Sequence, residues 1–349
     1  MAYRLAGSIG YGYRQFEGPT GEKQERLLDA GENPPGGVIV HYWLREAPAG
    51  DVVLSFLDAE GREIRSFTSR RRNAAANGAS PAGAAAAAGA PAGSAAPAGP
   101  AVPTPTGGGG EEPAPAADAP VTAADDDPRP TKNAGANRFV WNLRYPSAPK
   151  LADNKGRGGS ADMLAGPRVA PGRYQVRLTV NSRAQTQAFE LVKDPRVAAT
   201  DADLREQFTW AKRVHDLVAR VHASVLSLRD VRGQAQAWAT RVADPAIKSA
   251  AAALARTLSA IEEELIQVRS DNPRMFPSKL NSRIATVLPM IEYSDAAPTM
   301  ALRQLAEDLQ LRAEVELAKL DRCLAEDVAR FNALCRDGGV GAVVPTPRP

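Results

Sequence analysis

The hydrophobic period of this chain changes once, at Asp194-Pro195, from two residues to 3.6, and that change divides what the chain can fold into. Upstream, short β-branched and aromatic runs alternate with turn signals. Val38 to Leu44 (VIVHYWL) follows the breaker cluster Gly31 to Gly37. One face of that run carries Val38, Val40, Tyr42 and Leu44, the other Ile39, His41 and Trp43. Both faces are mostly apolar, so both are expected to be covered. Val52 to Leu57 and Glu63 to Thr68 flank the tight turn Asp58-Ala59-Glu60-Gly61, where Gly61 can take φ > 0, and the pair reads as a hairpin. Phe139, Trp141 and Leu143 alternate with Arg138, Val140, Asn142 and Arg144, a half-buried strand. Tyr145 to Gly166 reads as a polar, Gly-rich loop. Tyr174, Val176, Leu178 and Val180 alternate strictly with Arg173, Gln175, Arg177 and Thr179, and Asn181-Ser182-Arg183 turns the chain into a last strand, Gln185 to Val192. Hairpin-linked strands with turns between them predict a small immunoglobulin-like antiparallel β-sandwich over residues 36–195. Residues 1–35, without period, are expected to be an irregular lead-in.

Downstream of Pro195 the stripes are helical. Thr200 or Asp201 is a candidate N-cap. Leu204, Phe208, Ala211, Val214, Val218, Val221, Val225 and Leu228 make one long stripe, which Gly233 is expected to weaken before helix resumes toward Trp238. Ile247, Ala251, Leu254, Leu258, Ile261, Leu265 and Val268 repeat at alternating four and three. Leu280, Ile284, Val287 and Ile291 predict a shorter helix with a kink at Pro289. Pro298 suits the first turn of a final helix whose stripe runs from Leu302 through Leu305, Leu309, Leu317, Leu320, Leu324 and Val328 to Phe331. Gly338-Gly339 ends it. The expectation is an antiparallel α-helical bundle over 198–338, with 339–349 a flexible tail. The fold class is therefore α+β multidomain, a β-sandwich followed by a bundle.

One tract belongs to neither half. From about Ala74 to Asn133 the chain is almost all Ala, Gly, Pro, Ser and Thr, and it is expected to be a disordered insertion in the sandwich. It carries six acids against two bases, a net −4, so the rest of the chain, whose total is +3, carries +7. That positive charge is diffuse, unlike the clustered face that nucleic acid requires, and Arg70-Arg71-Arg72 reads as a solvated run. No apolar stretch approaches the roughly 20 residues of a membrane span. Met1 to Gly21 lacks the basic-then-apolar pattern of an export signal. As it stands the chain is expected in the cytoplasm, or in the periplasm or outside the cell if it is part of a longer exported protein. Cys323 and Cys335, twelve residues apart on a continuous helix, would lie roughly 18 Å apart, too far for a disulfide.

Little in the sequence points to catalysis. His215 and His222 are seven apart on one helix edge, not the four of a helical zinc pair. Glu262-Glu263-Glu264 reads as a solvated helix face. Asp125-Asp126-Asp127 lacks calcium-loop spacing. P-loop, dinucleotide-binding and nucleophile-elbow motifs are absent. The expectation is no enzyme, no cofactor, no metal and no catalytic residue. Trp43 and Trp141, with His41 beside the former, are the candidate contacts for a ligand or partner: aromatics on a sandwich face stack on sugar rings, or else pack in a core or between domains.

The order of segments carries a resemblance. GENPPGGVIVHYWL (31–44), VVLSFLDAEGREIRSF (52–67), NRFVWNLRYP (137–146), GPRVAPGRYQVRLTV (166–180), DPRVAATDADLREQF (194–208), KLNSRIA (279–285), DAAPT (295–299) and FNAL (331–334) resemble in succession the C-terminal region of bacterial sortilin-like proteins with BNR-repeat β-propellers, often labelled glycosyl-hydrolase-like. The hairpin at 52–67 also looks like the immunoglobulin-like domain of flagellar hook-capping proteins. The resemblance implies that any catalytic or ligand-binding face lies on a propeller, whose Asp-box (Ser-x-Asp-x-Gly-x-Thr-Trp) does not occur here. It implies a non-catalytic accessory module that docks on a propeller or another protein. The alternatives are part of a glycosyl-hydrolase-like enzyme and a carbohydrate-binding sandwich.

Overall fold

The computed structural model describes residues 2–4, 14–17, 23–26, 36–70, 127–151, 161–269 and 276–345. The chain divides into two units, Met1–Ser69 with Pro128–Pro349, and Arg70–Asp127, of which only the end residues are among those described. The expected insertion thus falls almost wholly outside the described residues. Its last residues, however, are folded. Pro130 is buried, Thr131 Oγ1 donates to Asn137 Oδ1 at 2.6 Å, and Asn137 Nδ2 donates to Asn133 O at 2.8 Å. Residues 128–133, which composition assigned to the insertion, thus belong with the strand that follows, because Asn137 is buried and takes its partners from that segment.

The architecture is an α+β mix of mainly antiparallel sheets and helices. The expected lead-in contains three short strands, β1 (Ala2–Arg4), β2 (Arg14–Glu17) and β3 (Lys23–Arg26), of which β2 and β3 pair with each other. Six longer strands follow the sequence expectation: β4 (Val38–Leu44), β5 (Val52–Leu57), β6 (Glu63–Thr68), β7 (Gly135–Trp141), β8 (Gly172–Val180) and β9 (Arg183–Lys193). Four of them join β1 in a five-stranded sheet of order β1-β9-β8-β5-β6, and β4 and β7 form a separate two-stranded ribbon. All pairings are antiparallel except β1 with β9. Asn181 and Ser182, both at positive φ, close the β8–β9 hairpin, the geometry a right-twisted two-residue turn needs.

The ribbon and the large sheet share one apolar interior. Phe56, on β5, stacks at 4.4 Å on Trp141 of β7 and meets Phe67 and Phe139 at 6.0 and 6.2 Å. Trp141 is fully buried, and its Nε1 donates to Arg144 O at 3.1 Å, so the indole leaves no polar atom unpaired.

The helices surround a second interior. α1 (Ala161–Leu164) is a single turn within the connection from β7 to β8. α2 (Asp201–Arg241) is about 60 Å long. Thr200 caps it in a reciprocal box with Asp203, and it runs through Gly233 without interruption, since packing on α3 outweighs one glycine. α3 (Pro245–Leu265) starts on the N-cap Asp244 with Pro245 in its first turn. α4 (Leu280–Ile291) contains Pro289 near its end, where few backbone bonds remain to be lost. Thr299, not Pro298, opens α5 (Met300–Arg322), which continues through a π-helical turn (Cys323–Asp327) into α6 (Val328–Asp337). Val221, Val225, Leu228, Leu258, Leu265, Ala285, Leu320 and Cys335 are solvent-free.

Two segments expected as loop and tail belong to this second interior. The β7–β8 connection inserts Ala148, Leu151 and Leu164 into the helical core. After Gly339, at φ +69°, the chain folds back and buries Val343. Asn332 holds Val343 by two bonds, at 2.7 and 2.9 Å, and Gln234 holds Val344 by two more, at 2.9 and 3.0 Å. Through Pro345 the expected flexible tail is a docked strap; two side-chain amides imitate a strand partner and satisfy its backbone.

Trp141→Ala is expected to lower unfolding free energy by about 3–5 kcal/mol in urea titrations, whereas Trp43→Ala should change it by about 0.5 kcal/mol or less.

Candidate interaction site

The outer face of the β4–β7 ribbon carries the candidate residues that remain accessible. Along β4 the alternation is strict: Val38, Tyr42 and Leu44 are buried, while Ile39, His41 and Trp43 are exposed, Trp43 by 67%. The expectation that both faces would be covered is corrected: among the described residues β4 pairs only with β7, and Ile39, His41 and Trp43 of β4 and Ala136 and Arg138 of β7 are exposed on the outer face. Register places Ile39 opposite Val140, His41 opposite Arg138 and Trp43 opposite Ala136. Opposed side chains in such a pair lie about 5 Å apart on one face. Ala136 is too short to cover the indole of Trp43, so the ring stands open, with His41 and Arg138 one row away and Ile39 and Val140 beyond them. The core behind holds this face rigid. Trp141, the other aromatic candidate, lies on the opposite face in the core and can touch neither ligand nor partner. Sequence periodicity contained the signal for Ile39, Arg138 and Val140: β7 reads as half-buried, so its partner's matching face must also be open. What it lacked was the pairing.

A second constellation joins the strands to the helices. Glu292, just after α4, accepts from Arg168 N at 2.7 Å through Oε1 and from Arg144 Nη1 at 2.8 Å through Oε2. Arg144 Nη1 also donates to Gly166 O at 2.7 Å. Gly166 is required there, since a Cβ would fall 2.2 Å from Tyr145 O. Tyr145 packs on Phe208 of α2 at 5.5 Å between ring centres, and Phe208 is half-buried there. Gln207, 1% exposed, donates to Ile291 O at 2.8 Å and fixes the end of α4.

The acids sort differently from the sequence reading. Glu262, expected on a solvated face, is 3% exposed and receives Arg229 Nε and Arg232 Nη1, both at 2.5 Å. It falls four residues after Leu258 and three before Leu265, on the apolar stripe itself. Glu263 and Glu264 do face outward, paired with Arg269 and Lys279. Asp194, also buried, binds Arg196 at 2.6 Å. Each of these buried carboxylates is thus engaged by an arginine, in a different part of the fold. Across the surface, α2 and α5 are laced by Glu206–Arg303, Arg213–Gln310 and Arg220–Glu314, the heptad spacing of a charged seam. A groove of about 390 Å³ runs along that seam, lined by Lys212, Arg213, Asp216 and Arg220 among others.

Both helical histidines are inside. His222 is solvent-free, with Nδ1 at 2.5 Å from Pro149 O and Nε2 at 3.4 Å from Asn281 Nδ2. His215, 9% exposed, has no hydrogen-bond partner on either ring nitrogen; the nearest carboxylate oxygen, on Asp216, is 3.5 Å from Nδ1. Among the described residues no three His, Cys, Asp or Glu side chains converge as a metal set would. Cys323 and Cys335 are buried free thiols; burial pushes Cys323 up to about 12 and raises Cys335 as well. Among the described residues no helix is long and apolar enough to cross a membrane. Protein-family models, curated proteins and solved structures give no match to this chain.

Glu262→Ala removes the carboxylate shared by two half-buried arginines and is expected to lower unfolding free energy by about 3 kcal/mol, against under about 1 kcal/mol for Glu264→Ala, both read by chemical denaturation.

Proposed function

We propose that this chain is a non-catalytic interaction module that docks on a protein partner through the outer face of the β4–β7 ribbon. In this reading the strands form an immunoglobulin-like sandwich and the helices a mixed bundle rather than the expected antiparallel one, α3 running antiparallel to α2 and α5 parallel to it. The chain then corresponds to the C-terminal region of sortilin-like BNR-repeat proteins, and the partner is a β-propeller. The observation that carries the reading is Trp43. A large aromatic, two-thirds exposed on a rigid strand and flanked by Ile39, Val140 and one arginine, has the composition of an interface anchor. The engagement of Glu262, Glu292 and Asp194 by arginines supports a binding role over a hydrolytic one, since a glycosidase needs two carboxylates free to face a sugar across a cleft.

Docking is tested with a purified Asp-box β-propeller immobilised and the full chain in solution. Trp43→Ala should weaken binding by about 30-fold or more, the effect of deleting an aromatic anchor. Equal binding by wild type and variant would remove the ribbon from the interface. The same exposed indole favours one second reading, a flat sugar-stacking platform. Saturable quenching of tryptophan fluorescence by oligosaccharides, lost in Trp43→Ala, would select that reading instead.

A further inference from the structure

The two buried histidines lie on one edge of α2, seven residues apart: His222 bonds the β7–β8 connection at Pro149, and His215 lies within electrostatic reach of Glu292, which binds both ends of that connection. At His222 the geometry fixes the protonation state. A carbonyl oxygen can only accept, so Nδ1 carries the hydrogen that reaches Pro149 O at 2.5 Å. Nε2 then holds the lone pair, and Asn281 Nδ2 donates to it at 3.4 Å. A proton added at Nε2 would set two donors against each other where neither residue has any exposure. Neither ring nitrogen of His215 has a hydrogen-bond partner or contact with water, and the Asp216 carboxylate, 3.5 Å from Nδ1 on the exposed side of α2, is the group that a second proton would meet.

We propose that this seam is an acid-sensitive latch, closed while His215 and His222 are neutral and opened when both take up protons.

The charged groups around the latch do not reverse this. On α2 itself Lys212 opposes a charge on His215 and Asp216 favours one. From the end of α4 Glu292 also favours it, but its two oxygens are occupied by Arg144 Nη1 and Arg168 N. From the connection come Arg144 and Tyr145, the latter beneath Lys212 Nζ at 5.6 Å. On His222 the acting groups, the Pro149 carbonyl and the Asn281 amide, are uncharged. Burial outweighs the rest and pushes both histidines below the ordinary 6.5. A histidine depressed in the closed state binds more protons once released. The closed state therefore keeps its full stability above pH 6.5 and loses it progressively as pH falls below that value. Opening frees the connection that carries Tyr145, Ala148 and Leu151 from the helices.

Amide hydrogen exchange of the full chain at pH 7.5 and 5.5, corrected for intrinsic rates, tests the latch. Residues 143–151 should lose protection by about tenfold for each histidine released, the factor expected one unit below an unperturbed histidine, while α3 stays protected. The double variant His215→Leu, His222→Asn, in which the asparagine retains a donor for Pro149 O, should show no such loss. Unchanged protection in the wild type, or an equal loss in the double variant, overturns the proposal. Should the double variant not fold, Asn281→Asp takes its place: a carboxylate facing Nε2 accepts the added proton, so acid sensitivity must diminish, and undiminished sensitivity also overturns the latch.

Discussion

The carboxylate of Glu292 binds both ends of one connection at once, and this is the interaction that ties the described strands to the described helices. One oxygen takes the side chain of Arg144, which leaves the ribbon, and the other takes the backbone of Arg168, which enters the large sheet. Between those residues the chain makes an excursion of more than twenty positions that inserts Ala148, Leu151 and Leu164 into the helical interior. Strands and helices are therefore not two beads on a linker. They share an element whose ends belong to one core and whose middle belongs to the other. A carboxylate nearly removed from water is costly unless its oxygens are filled, and here a backbone N–H and a guanidinium fill them.

This plan makes the ribbon a finished surface. β4 and β7 turn Val38, Tyr42, Leu44, Phe139 and Trp141 onto the Phe56 side, and that core leaves the opposite face no freedom to repack. Ile39, Trp43 and Val140 are thus presented in fixed order on a two-stranded support, where recognition costs little ordering entropy. At the other end of the connection, rigidity depends instead on two neutral imidazoles. The proposed docking face and the proposed latch lie in regions of opposite character, one secured by aromatic stacking and the other by imidazoles that burial holds neutral.

Much of the secondary structure was legible from residue patterns. The alternation in Tyr174 to Val180, the turn at Asn181-Ser182 and the four–three spacing from Ile247 to Leu265 each have a single reading, because side-chain direction follows backbone period. Errors arose where a local pattern and its partner disagree. Ile39-His41-Trp43 looked buried because its composition is apolar, yet exposure was set by β7, nearly a hundred residues away. Glu262 looked solvated because it is charged, yet its helical position lies on the stripe, and two arginines one helix away make that position tolerable. Val343 looked like a fraying end, yet Asn332 and Gln234 supply the partners its neighbours' backbone needs.

By itself the sequence determined the six longer strands, the four main helical stripes and the turns between them, since those properties depend on neighbours within a few positions; it missed the short strands β1 to β3 and the single turn α1. Only the tertiary structure decided that Trp43 stands outside while Trp141 stacks inside, that Glu292 joins the two halves, and that His215 and His222 meet at one seam. Those outcomes depend on which distant surfaces are pressed together, and burial, register and unpaired polar atoms are properties of that contact rather than of either segment alone.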